Sequence, residues 1–220
     1  MPKSRLAEIV AATLAVAAVF TSAPPAVAAT TISARTVLNS LTVRSPDSAH
    51  PYDRAAFGYP DDADRDGCNT RKEVLIQEHI GPLRISSSCA VHGTWRSQYD
   101  DHTTTDPSSL EVDHMVPLAE AWHAGAWAWS SSRKVAFGND LTWRYTLNAV
   151  TASLNQTKGA RDPAKWLPPR NQCTYLKEWL GVKYRWRLSV DAGEKSAISA
   201  DLTKYCTWSG ALTMVEPPVA

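Results

Sequence analysis

The chain has 220 residues, 23 of them basic and 22 acidic, for a formal net charge of +1. That length is enough for one domain with a real hydrophobic core. The near-neutral balance gives no support to a nucleic-acid binder, although a local basic groove can exist on a neutral protein. No segment after the first thirty residues is long and apolar enough to span a bilayer.

The N-terminus reads as an export signal. Lys3 and Arg5 give a positive start, Ile9 to Phe20 is small and apolar, and Ala26-Val27-Ala28 fits the small-x-small cleavage pattern. The apolar run is about 12 residues, short of the roughly 20 a spanning helix needs. Residues 1–28 are therefore expected to be a signal peptide and the mature protein to be secreted. Its loss removes Lys3, Arg5 and Glu8, leaving 21 basic and 21 acidic residues. We expect a lead-in over 29–60, one domain over 61–210 and a loose tail over 211–220.

In chain order, a short helix is expected from Ala34 to Leu41, then an irregular stretch rich in Pro, Asp and Gly. Thr70 to Ile80 reads as a helix opened by a capping box, Thr70-Arg71-Lys72-Glu73. Residues 82–110 carry turns and short strands. A strand ends at His114, and a helix follows from Leu118 to Trp129. Leu141 to Val150 is β-prone, and Thr151 to Lys158 reads as a short helix. Tyr175 to Trp186 has Leu176, Trp179, Leu180 and Val182 at helical spacing, and Ala192 to Leu202 reads as the last helix. Most of the nine tryptophans read as core. His50, His79, His92, His102 and His123 lack metal-ligand spacing and read as surface or packing residues.

Cys68, Cys89, Cys173 and Cys206 are an even count in an exported chain, which reads as two disulfides with three possible connectivities. Cys68–Cys89 and Cys173–Cys206 are favoured, because each closes one local unit around the central segment. Zinc at the cysteines wants Cys-x-x-Cys pairs, and none occurs.

The chemistry concentrates in Glu111-Val112-Asp113-His114-Met115-Val116-Pro117 and in the later stretch from Leu147 to Gly159, which offers Asn148 and Asn155. A carboxylate and an amide that hold a hard metal, with a histidine that takes a proton from water, are parts for phosphodiester hydrolysis. Adjacent strand residues face opposite ways. Asp113 and His114 therefore converge only if the strand stops or distorts, as Pro117 suggests.

Asp113-His114 with Asn148 and Asn155 resembles the His-Asn-His (HNH) endonucleases of the ββα-metal class. The chain is most similar to exported members with an Asp-His-x-Val-Pro start and an Asn-x-x-Lys-Gly end. Tyr52-Asp53-Arg54, Phe57-Gly58, Asp66-Gly67-Cys68-Asn69-Thr70-Arg71, Gly93-x-Trp95, Pro117-Leu118-Ala119-Glu120-Ala121-Trp122, Asn139-Asp140-Leu141, Arg161-Asp162-Pro163 and the spacing of the cysteines extend the likeness over nearly the whole mature chain.

The resemblance implies an α+β fold around a ββα-metal core. It makes His114 the general base that activates water. Asp113 and Asn155 would ligate one Mg²⁺ or Mn²⁺ ion that polarises the scissile phosphate and stabilises the departing 3′ oxygen. Asn148 would fix the loop that orients the histidine, and Lys158 would touch a phosphate. The founding motif has histidine at the last position, and an amide oxygen there suits Mg²⁺ or Mn²⁺ better than zinc. Glu120 reads as a packing or supporting residue.

Asp62-Ala63-Asp64-Arg65-Asp66-Gly67 with Glu73 fits the calcium-loop spacing Asp-x-Asp-x-Asp-Gly-x₅-Glu, although Gly58 and Pro60 deny it an entering helix. An ion there would be structural, and an acidic solvated turn is the default. The function expected from all this is secreted, metal-dependent, monomeric cleavage of DNA with little sequence preference. The alternatives are a non-catalytic calcium-binding or cell-surface module and an RNA-preferring nuclease with the same site.

Overall fold

The computed structural model describes residues 30–220; the expected signal peptide lies outside them. Along the chain run β1 (Thr31–Ser33), α1 (Ala34–Ser40), α2 (Thr70–Gln77), β2 (Arg84–Ile85), β3 (Val91–His92), β4 (Trp95–Arg96), β5 (Thr103–Thr104) and β6 (Leu110–His114). Then follow α3 (Leu118–His123), α4 (Ser131–Gly138), β7 (Leu147–Thr151), α5 (Ala152–Lys158), α6 (Gln172–Trp186), α7 (Ala192–Tyr205) and β8 (Thr213–Val215). The fold is α+β, with the strands in antiparallel pairs: β1 with β8, β2 with β3, β4 with β5, and β6 with β7.

The pair β6–β7 separates two apolar cores. Leu110, Val112, Leu147 and Ala149 pack with Val74 and Leu75 of α2 and with Trp95. Val150, which the strand alternation turns the other way, joins the larger core of α1, α3, α6 and α7. Trp179, Leu176, Leu180 and Val182 of α6 are fully buried there, the helical spacing anticipated from sequence. Within it Lys183 Nζ is enclosed by Glu120 Oε1, Glu194 Oε2 and the Ser189 carbonyl, each at 2.8 Å. Glu120 is thus a packing residue turned toward α6. Both favoured disulfides, Cys68–Cys89 and Cys173–Cys206, are formed.

Several expectations are corrected. The helix at Thr70 is capped by Asn69, whose side chain accepts from Lys72 N, not by a Thr70–Glu73 box. Thr70 Oγ1 instead directs its one proton between the Asp61 carbonyl and Asn139 Oδ1, at 3.0 and 2.7 Å. The helix from Leu118 stops at His123 because Gly125 adopts φ +125° beneath the Arg44 guanidinium, which would meet a Cβ at 2.3 Å. The helix α4 was not anticipated; Ser130 caps it by accepting from Arg133 N.

The tail expected to be loose is pinned. Residues Thr213–Val215 pair with Thr31–Ser33, and Arg185 Nη1 donates to the Pro218 carbonyl at 2.6 Å. The lead-in is no separate piece either, since Ala34, Val37 and Leu38 of α1 lie in the larger core. No helix among the described residues is long and apolar enough to cross a membrane.

Candidate active site

The strand β6 ends at His114, and the next residue already bonds across to Thr146. One edge of β6 is paired to β7 and the other is open. A cleft of about 370 Å³ is lined by Tyr52, Arg54, Asp113, His114, Asn155 and Gln156 among others. Asp113 and His114, neighbours on the strand, both line it. The helix α5 follows β7 directly and lays Asn155, Gln156 and Lys158 against β6.

His114 is buried, and its Nε2 lies 2.9 Å from the Gly138 carbonyl at the end of α4. A carbonyl only accepts, so Nε2 carries the proton and Nδ1 keeps its lone pair. Burial pushes the imidazole pKa down to about 4, with the Gly138 carbonyl opposing that shift. The ring is neutral at neutral pH and packs edge-on against Tyr59, centroids 4.7 Å apart. A neutral, tautomerically fixed imidazole with one free nitrogen is what a proton acceptor requires.

Asp113 Oδ2 accepts from Lys158 Nζ at 2.5 Å and from the Tyr99 hydroxyl. Among the described residues Asp113 Oδ1 takes no hydrogen bond, and it is not sealed from solvent. Burial raises the Asp113 carboxyl and lowers the Lys158 ammonium, the attraction between the two opposing both shifts.

Asn155 donates Nδ2 to Glu111 Oε2 at 2.8 Å, and the neighbouring Gln156 donates Nε2 to Glu111 Oε1 at 2.7 Å. Glu111 can only accept, so it fixes which end of the Asn155 amide remains free. That end is the oxygen. Two hard oxygens, Asp113 Oδ1 and Asn155 Oδ1, thus border the same cleft without protein partners. They are hard donors of the kind that a divalent cation takes.

Two sequence-predicted residues stand elsewhere. Asn148 is directly opposite Asp113 in the β6–β7 register, and its Nδ2 donates to the Tyr145 carbonyl at 3.3 Å, bracing the loop that enters β7. It lines a separate cleft with Glu78, Gln98, Arg96, Arg144 and Glu178. There burial pushes the Glu178 carboxyl up to about 8. Lys158 is fully buried, and its ammonium donates to Asp113 and to the His114 and Met115 carbonyls at 2.8 and 3.0 Å, which turns it away from the surface where a phosphate contact was expected. Sequence reasoning missed Tyr99, the orienting role of Glu111 and the Gly138 carbonyl. None of these carries a local motif, because each acts through a contact distant in sequence.

The acidic loop gathers Asp62, Asp64 and Asp66, whose carboxylate oxygens lie within 4.8 Å of one another. Asp66 also approaches Glu73, but Cys68 beside them is in a disulfide and offers no thiolate. Asp62 Oδ2 accepts from Gly67 N at 3.1 Å, while its Oδ1 is buried without a partner. Glu73 is released from capping by Asn69, and burial together with Asp66, Asp64 and Asp62 raises its pKa.

Comparison with known proteins bears on all of this. The family model described as GmrSD restriction endonucleases, C-terminal domain, matches residues 84–200, just over half of the chain. The match spans β6, β7 and α5 and so includes Asp113, His114, Asn148 and Asn155. A protein of Arthroderma benhamiae (strain ATCC MYA-4681 / CBS 112371), named "Uncharacterized secreted protein", is 40% identical over 173 residues, covering 77% of this chain and 83% of that protein. No solved structure matches. The chain therefore belongs to the family of the C-terminal domain of GmrSD restriction endonucleases, a family of nucleases.

Proposed function

We propose that the protein is a secreted HNH-type endonuclease of the ββα-metal class that hydrolyses DNA phosphodiesters with little sequence preference. The observation that carries this reading is the convergence on one cleft of a neutral His114 with a free Nδ1 and of two unpartnered oxygens, Asp113 Oδ1 and Asn155 Oδ1. His114 Nδ1 accepts the proton as water attacks phosphorus, and its Nε2–H bond to Gly138 holds the ring in place for that transfer. Asp113 and Asn155 would hold Mg²⁺ or Mn²⁺, which would supply positive charge to the phosphate and the departing oxygen. Asn148 supports the site through the loop before β7. Secretion is favoured by an N-terminal sequence that reads as an export signal, by the two disulfides and by the printed name of the relative from Arthroderma benhamiae.

The test is nicking of supercoiled plasmid by the purified mature chain in EDTA, Mg²⁺, Mn²⁺ or Ca²⁺, with an RNA of matched length alongside. Cleavage is expected with Mg²⁺ or Mn²⁺ and not in EDTA. Folded protein with both disulfides intact that cuts nothing under any ion would shift the reading to a binding module, and preference for the RNA would change the substrate but keep the site.

A structural calcium ion on Asp62, Asp64, Asp66 and Glu73 belongs to the same proposal. Adding Ca²⁺ to chelated protein is expected to raise the melting temperature, since a ligand at 100 times its Kd stabilises by about 2.7 kcal/mol. An unmoved transition at millimolar Ca²⁺ would leave a solvated acidic turn.

A further inference from the structure

The burial of Lys158 leaves an electrostatic question, because a nuclease cleft must receive an anion. Among the described residues lining the cleft of Asp113, His114 and Asn155, one carries a positive charge, and it is Arg54. Two other cations near the cleft are engaged elsewhere. Lys158 is enclosed by Asp113 and two carbonyls. Arg71 spends Nη2 on the Pro107 and Leu110 carbonyls at 2.9 and 3.1 Å. Arg54 is exposed and is in none of the ion pairs among the described residues.

Its position is built with care by the segment Tyr52-Asp53-Arg54-Ala55-Ala56-Phe57-Gly58. Asp53 Oδ1 accepts from Ala55 N at 2.9 Å and opens a single 3₁₀ turn, Ala55–Phe57. Gly58 closes it in the left-handed conformation, φ +55°. Phe57 N then bonds back to the Arg54 carbonyl at 3.2 Å, and the Phe57 ring is fully buried. The backbone of Phe57 lies so close under Gly138 that a Cβ there would come within 2.5 Å of the Phe57 carbonyl. Gly138 is also the residue whose carbonyl fixes His114. One anchor therefore sets both the proton acceptor and the exposed guanidinium.

We propose that Arg54 is the phosphate-binding residue of this cleft, its guanidinium taking the non-bridging oxygens of the phosphodiester presented to His114. A planar fork of donors matches two phosphate oxygens at once. This rests on the nuclease reading above and adds the group that recognises the backbone of the nucleic acid.

The experiment compares wild type, Arg54→Ala and Arg54→Lys on the same duplex, in two assays. Binding is measured in EDTA across a salt series, and cleavage in Mg²⁺ or Mn²⁺. Arg54→Ala is expected to lower kcat/KM about tenfold to hundredfold, the range for hydrogen bonds to charged groups. It is also expected to flatten the slope of log affinity against log salt by about one. Arg54→Lys keeps the charge and so the slope, but loses the fork and recovers part of the rate. Because Arg54 is exposed, all three proteins should melt together. Wild-type rate and slope in Arg54→Ala would overturn the assignment while leaving the nuclease intact. A wild type that cuts nothing yet loses a salt-dependent contact in Arg54→Ala would instead overturn the nuclease reading and keep the anion site. Absence of both cleavage and salt-dependent binding in the wild type would overturn the two together.

Discussion

Replacing His114 by alanine is expected to slow plasmid nicking by about two to four orders of magnitude, the range contributed by a positioned general base. The structure makes this test sharp. The ring is held by one hydrogen bond to Gly138, by an edge contact with Tyr59 and by the tilted ring of Phe137, so truncation opens a cavity the size of an imidazole. Stability falls modestly, as for other large-to-small core changes, and the melting temperature measured in parallel separates that loss from chemistry. Added imidazole should refill the cavity and restore part of the rate, which a purely structural role would not allow. A variant that nicks at the wild-type rate would remove His114 as the base. Loss of rate without any rescue, in protein that has partly unfolded, would assign the residue to packing.

Much of this arrangement was legible in the sequence because it depends on local pattern. Pro117 three residues after His114 announced a strand end, and the strand does end there. The step from β-prone residues to helix formers at Thr151 placed Asn155 one turn into α5, where it faces back to β6. The cysteine pairing was equally local, each bridge closing a loop of its own. What failed to show were contacts between distant residues of unremarkable type. The pairing of β8 with β1 joins two three-residue strands from opposite ends of the chain, too short for any periodic signal. Tyr99 reaches Asp113 from the turn between β4 and β5, and nothing near Tyr99 in sequence announces it. The helix α4 was overlooked although Ser130 is a good N-cap, because a run of three serines reads first as loop.

Lys158 shows most clearly where sequence reasoning stopped, and its replacement carries the largest expected change in stability. Three residues after Asn155, it sits on the same face of α5, and a lysine at the end of a catalytic helix reads as a phosphate contact. The periodicity fixed the face but not its depth. That face lies against β6, so the lysine stem runs inward and its three donors are consumed by Asp113 Oδ2 and the His114 and Met115 carbonyls. Lys158→Met preserves the volume of the stem and removes the charge. It leaves a buried carboxylate with the Tyr99 hydroxyl alone and deprives two carbonyls of their donor. Breaking a buried ion pair from one side costs about 3–5 kcal/mol, which for a chain of this size lowers the melting temperature by about 6–20 °C. Adding Asp113→Asn to that variant removes the uncompensated charge, so the double variant should regain stability although it loses a proposed metal ligand. A phosphate-contacting lysine predicts the reverse pattern: Lys158→Met would melt with the wild type and show a flatter salt dependence of DNA binding. Thermal melts of the single and double variants, read beside the salt series for Arg54, therefore decide which of the two cations holds the site together and which meets the substrate.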